Sequence, residues 1–138
     1  MFQFARNLIA GNTVVAPPMD NEPYIAAASI AEGTLVTPPT NGQVSVANDV
    51  DDVFGVAVTT ANAGDELRIA YVIPGMIFKV KTSALIPAGT EAGINATGDG
   101  LTVGTGSAGV LVLRCVEDQN VPGRFWAWVV FKRTALMG

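Results

Sequence analysis

Apolar and polar positions along this chain alternate in short runs, and nearly every run is bounded by glycine, proline or asparagine. Met76–Thr82 is the clearest case. Met76, Phe78 and Val80 fall on one side of an extended chain while Lys79 and Lys81 fall on the other, the pattern of a strand with one wet face. The same reading predicts strands at Ala26–Ile30, Leu35–Thr37, Gln43–Ala47, Phe54–Thr59, Glu66–Ile73, Glu91–Ile94, Val110–Glu117 and Arg124–Arg133. Turn residues separate them at Thr40–Gly42, Asn62–Asp65, Pro74-Gly75, Thr97–Gly100 and Val121–Gly123. Pro74-Gly75 is expected to make a tight type II reversal with Gly75 at positive φ. No window carries a convincing helical period; Tyr24–Glu32, alanine-rich but short and stopped by Gly33, reads as strand.

Arg124–Arg133 departs from that scheme. Phe125, Ala127, Val129 and Phe131 face one side and Trp126, Trp128 and Val130 the other, so both faces are apolar. An antiparallel strand on a solvated sheet keeps one face polar. The second face therefore calls for a cover, and a subunit interface at Trp126, Trp128 and Val130 is the favoured one. Alternating aromatics also mark base-stacking platforms, but those lie in basic grooves.

Composition sharpens this picture. The chain has 138 residues, 49% apolar and only 14% charged, enough for one domain with its own core and no need of a disulfide or metal. No apolar run reaches the length of a membrane helix. Net charge is −4, which argues against nucleic acid as a partner. The charge is unevenly placed: residues 1–67 hold one base and eight acids, residues 68–138 seven bases and four acids. That asymmetry suits docking of oppositely charged surfaces. There is no histidine and one cysteine, Cys115; histidine-based triads and zinc sites are excluded, and Cys115, alternating with Leu111 and Leu113, reads as a packed hydrophobe. The opening residues lack a basic stretch followed by a long apolar one, so no signal peptide is expected.

The motifs that might carry chemistry are weak. Gly104–Gly109 spells Gly-x-Gly-x-x-Gly but leads into the strand-like Val110–Val116 rather than a helix, which a dinucleotide site requires. Asn48–Asp52 is acidic but lacks the calcium-loop order. Asn95–Thr97 spells a glycosylation sequon. The doublets Asp65-Glu66 and Glu117-Asp118 are neighbours along strands and so point apart, which disqualifies each as an acid–base pair. No catalytic, cofactor or metal residue is assigned.

Two stretches resemble copies of one unit. Ile30–Thr34, Phe54–Val58 and Gly64–Tyr71 correspond to Ile86–Thr90, Ala108–Val112 and Gly123–Val129, with offsets of 56 from Gly33 to Gly89 and 54 from Gly55 to Gly109. Two such units are expected to close on each other. Residues 1–22 differ: Ala16–Pro18 forces an extended path, and Phe2, Phe4, Leu8 and Ile9 are too few for a core and too apolar for an inert tail. They read as an extended arm lying on a partner, or packed on its own domain. The expected fold is all-β, a small β-barrel or β-sandwich of about eight or nine short strands over residues 23–138, with the arm at 1–22.

The segments Ala31–Thr34, Val53–Ala57, Ala63–Leu67, Met76–Val80 and Pro87–Thr90 together resemble the capsid decoration, or cement, proteins of tailed bacteriophages, over about residues 26–131. The resemblance implies a small β-rich, non-enzymatic virion protein without cofactors. It implies a homotrimer seated on the outer surface of the capsid and bound to the major capsid protein, with no membrane or nucleic-acid partner. On that reading Phe2, Phe4, Leu8 and Ile9 dock onto coat protein while Trp126, Trp128 and Val130 pack between subunits. The alternatives are another head–tail or tail component, or, from a different class, a trimeric β-fold nucleotide hydrolase using carboxylates and magnesium.

Overall fold

Short strands with positive-φ turns close into a barrel here because one long strand is paired along both edges. The computed structural model describes residues 1–7, 23–48, 53–72, 75–102 and 109–132. Twelve strands lie among them: β1 (Gln3–Asn7), β2 (Tyr24–Ala26), β3 (Leu35–Val36), β4 (Gln43–Val44), β5 (Gly55–Ala57), β6 (Glu66–Leu67), β7 (Ile69–Tyr71), β8 (Met76–Thr82), β9 (Glu91–Ile94), β10 (Leu101–Thr102), β11 (Val110–Glu117) and β12 (Phe125–Phe131). No helix occurs among the described residues. The largest sheet runs β1-β8-β10-β9-β11-β12, and β12 pairs back onto β8, closing five strands into a barrel. The strands β4-β2-β6 and β3-β5-β7 form two smaller sheets.

The all-β expectation holds, and Met76–Thr82, Glu91–Ile94 and Val110–Glu117 are strands with the bounds the sequence pattern predicts. The strand number exceeds the expected eight or nine for local reasons. Glu66–Ile73 divides at exposed Arg68, so Glu66–Leu67 pairs with β2 and Ile69–Tyr71 with β5. β10 has only two residues, too few for any alternation to show. At Thr40–Gln43, Asn41 (φ +53°) and Gly42 (φ +75°) make the two-residue turn that both central positions at positive φ define. Gly75 has the expected positive φ, +95°.

The duplicated unit is present in three dimensions. Gly33 N–H donates to Ala57 O (2.8 Å) and Ala57 N–H to Thr34 O (2.9 Å); Gly89 N–H donates to Val112 O (2.7 Å) and Val112 N–H to Thr90 O (3.0 Å). Val36 opposes Gly55 as Ala92 opposes Val110. The offset is thus 56 in the first strand but 55 in the second. The sequence alignment on Gly55 and Gly109 is one residue out, because letters matched where backbone bonds do not.

Two cores follow. Barrel residues Phe78, Val80, Val110, Ala127, Val129 and Phe131 pack with Leu35, Val53, Val56 and Val72 of the first unit. Ile30, Val36, Val44, Leu67 and Ile69 form a second cluster, where the Phe54 ring meets Tyr24 and Tyr71 edge-on. The first unit therefore covers the barrel with one side and a small core of its own with the other.

Candidate functional site: an aromatic face bracketed by cations

β12 alternates as its sequence requires. Ala127, Val129 and Phe131 are buried in the barrel, while Trp126, Trp128 and Val130 lie outward and half-buried. Register supplies their neighbours. Trp126 stands between Val116 of β11 and Lys81 of β8, Trp128 between Arg114 and Lys79, and Val130 between Leu111 and Ile77. These contacts unite residues from three separate stretches of chain.

The indoles are bracketed by positive charge. Lys79 Nζ lies 4.7 Å from the Trp126 ring centre and 5.5 Å from that of Trp128. The Arg114 guanidinium is 4.9 Å from Trp128 and the Arg124 guanidinium 5.2 Å from Trp126. A cation over an indole face is held by the ring quadrupole while its outer side stays hydrated. Lys79, Lys81 and Arg114 make no ion pair among the described residues, although Lys81 lies near enough to Asp99 for the two charges to attract.

Asp118 fastens one end of this face. Its side chain is only 7% exposed. Oδ1 accepts the Asn120 N–H (2.7 Å) and the Val121 N–H (3.2 Å), an Asx-type cap on the loop whose Gly123 has φ +81°. Oδ2 accepts Arg124 Nε (2.9 Å), Arg124 Nη2 (2.7 Å) and Trp126 Nε1 (2.7 Å). The Asn120 N–H, then Arg124 and Trp126, hold the carboxyl far below the usual carboxylate range. Arg124 and Trp126 are therefore fixed by an ionised, shielded group.

An open cavity of about 550 Å³ adjoins this end, lined by Lys81, Thr82, Asn95, Leu101 and Arg124 among others. Thr82 is 4% exposed and its hydroxyl is the buried side-chain polar atom left without a partner among the described residues.

Of the two readings of the arm, its first residues follow the one that packs on its own domain. Phe2 is 3% exposed, its ring tilted against Phe131 at 5.9 Å and its N–H bonded to Gly33 O. Phe4 is half-buried and meets Phe78 edge-on at 5.9 Å. Residues 3–7 form β1 on the edge of β8. Phe2 and Phe4 thus belong to the barrel rather than to an arm reaching outward: two benzyl groups gain more from the core beside them than from water. Leu8 and Ile9, with the rest of 8–22, lie outside the described residues.

The remaining motifs resolve as turns or fall out of view. Gly109 (φ +66°) enters strand β11, not a helix; Gly104–Ala108 and Asp49–Asp52 lie outside the described residues. Asn95 of the sequon donates to Asp99 Oδ1 (2.9 Å) and accepts the Asp99 N–H (3.1 Å), closing its own turn. Cys115 is half-buried against the barrel core. Among the described residues no three cysteine, aspartate or glutamate side chains gather as a metal would require.

Alternation alone signalled Trp126, Trp128, Lys79 and Lys81. Arg114, Arg124 and Asp118 join them through register and a loop bend, which composition does not encode. Comparison with known proteins adds no relative: no protein-family model matches the chain, and no curated protein matches it.

Proposed function

We propose that this chain is a non-enzymatic structural protein of a virion: a decoration protein that self-associates, in keeping with the trimers of the family it resembles, and binds the outside of a phage head. The observation that carries the reading is the outer face of β12. Two tryptophans and a valine lie on the outside of a closed barrel, only half-covered by their own chain. Large apolar side chains in such a patch are the mark of a docking surface. The closed barrel suits a load-bearing role, because strain on any strand is shared with hydrogen-bonded neighbours around the ring. Many copies on one shell add avidity, so modest single contacts give a durable layer.

With Phe2 in the core and Phe4 packed against it, shell contact falls to other surfaces, and Leu8 and Ile9 remain the apolar candidates of the arm. Incubating purified protein with undecorated shells, then imaging them, tests the reading: regular density outside the shell supports it. Density confined to the head–tail junction or tail would transfer the protein to the alternative structural role. No binding at saturating concentration would refute both. A Leu8→Ser/Ile9→Ser variant leaves β1 intact and is the clean test of the arm; full shell binding by it removes the arm from the mechanism.

A further inference from the structure

The outer face and the chain's charge asymmetry belong together. Lys79, Lys81, Arg114 and Arg124 surround Trp126 and Trp128; among the described residues Asp118 pairs with Arg124, and Asp99 lies near enough to Lys81 for the two charges to attract. Far along the chain, the lobe of β2, β4 and β6 displays the opposite sign. Glu32 and Asp65, on two turns joined through the Ile30–Ala61 bridge and the Ala26–Asp65 backbone bond, and Glu66 at the start of β6 are all exposed, against one exposed cation, Arg68, just after β6. Two copies of the cationic face set against each other would bring Lys79 and Arg114 of one copy up to the same cations of the other. A two-fold contact through this face is therefore disfavoured.

We infer that the cation-bracketed tryptophan face docks the acidic β2/β6 lobe of a second copy of this chain, head to tail. The inference rests on the self-association in the reading above and names the surfaces that meet. Contact between two different patches builds a ring where its rotation closes and an open filament where it does not; a closed ring of three suits it, a symmetric dimer does not. Carboxylates are the fitting ligand chemistry. Lys79, Arg114 and Arg124 lie over the indoles, so a carboxylate that reaches the half-exposed rings also meets a cation beside them. The cavity at the Lys81–Arg124 end gives room for an acidic side chain at the edge of the contact.

Charge-swapped variants, followed by analytical ultracentrifugation at micromolar concentration, test this. Lys79→Glu/Arg114→Glu should be monomeric, and so should Asp65→Lys/Glu66→Lys. The chain carrying all four substitutions should associate again, since both surfaces change sign together. High salt should weaken association of the natural chain by roughly tenfold or more. If the four-site chain fails to fold, neutral Lys79→Gln/Arg114→Gln and Asp65→Asn/Glu66→Gln pairs replace it, each expected to lose most of that salt dependence. A monomeric natural chain overturns the inference. So does an acid-lobe variant that stays associated, a folded four-site chain that stays monomeric, or neutral pairs that keep full salt dependence. Tryptophan quenching by oligothymidylate, abolished in Lys79→Glu/Arg114→Glu, would assign the face to single-stranded nucleic acid instead. Shell binding is scored on the same samples: monomers that decorate shells sink this contact alone, whereas head-to-tail oligomers that ignore shells sink the decoration reading alone.

Discussion

Replacing Phe2 with alanine separates a core residue from an anchor. The ring is 3% exposed and begins a run of four: Phe2 tilts against Phe131, Phe131 meets Phe78 edge-on, and Phe78 meets Phe4 edge-on, each at 5.9 Å between centres. Truncation removes the transfer energy of a buried phenyl group, leaves a cavity beside Phe131, and cancels one ring pair. Such changes cost about 3–5 kcal/mol, of which the ring pair accounts for roughly 0.5–1.5 kcal/mol. Domains are stable by only about 5–15 kcal/mol, so the variant should lose a large share of its margin. The melting temperature should fall by about 10 °C or more. Urea unfolding followed by tryptophan fluorescence gives the free energy directly. The exposed neighbour Gln3, changed to alanine, is the control and should move stability by less than about 0.5 kcal/mol. If Phe2→Ala unfolds within about 1 kcal/mol of the natural chain, the strand is not part of the barrel core and the burial argument fails.

Three further expectations rest on other parts of the molecule. Asp118 has a carboxyl pKa depressed by folding, so its stabilising contribution is complete above the ordinary carboxylate range and fades as pH drops below about 4 toward the depressed value. Urea midpoints of Asp118→Asn should therefore fall below those of the natural chain at pH 7 and converge on them in acid; a constant gap across pH refutes the assignment. Gly55→Ala should lose about 1–3 kcal/mol or more in the same assay, since its Cβ would come within 2.3 Å of Ile69 Cγ2 and 2.5 Å of Ala70 O; an unchanged midpoint would contradict that packing. Thr82→Val replaces an unpartnered buried hydroxyl with a methyl group, and should leave stability unchanged or raise it by up to about 1 kcal/mol; a marked loss would mean the hydroxyl has a partner.

Much of the fold can be read from alternation, because a strand one residue out of phase turns its whole apolar set to water. Met76–Thr82 and Phe125–Phe131 therefore announce both their extent and their inward faces. β1 was harder to read. Phe2 and Phe4 alternate with polar Gln3, but the next residues, Ala5 and Arg6, sit at a bulge against β8 that breaks the period, and pairing with a strand that begins only at Met76 leaves no local trace. The duplicated unit was visible through Gly33 and Gly89, whose turns need positive φ (+83° and +85°). Matching letters sets its second half one residue out, because Gly55 and Gly109 look alike yet differ in role. Only Gly109 is at positive φ, whereas Gly55 is held by close packing on Ile69 and Ala70. For the face, the pattern supplied one strand and part of a second. Arg114 lies beside Trp128 only because β11 shifts register between Val112 and Arg114, and no rule of composition foretells where a ladder slips.

The Asp118 network has a kinetic consequence. Arg124 and Trp126 hold their rotamers before anything approaches, so little side-chain freedom remains to be surrendered on contact. In the head-to-tail contact inferred above, encounter would then be a rigid-body event, its speed set by long-range attraction and its lifetime by the indoles. Ionic strength should act chiefly on how fast complexes form, and tryptophan substitutions chiefly on how long they last.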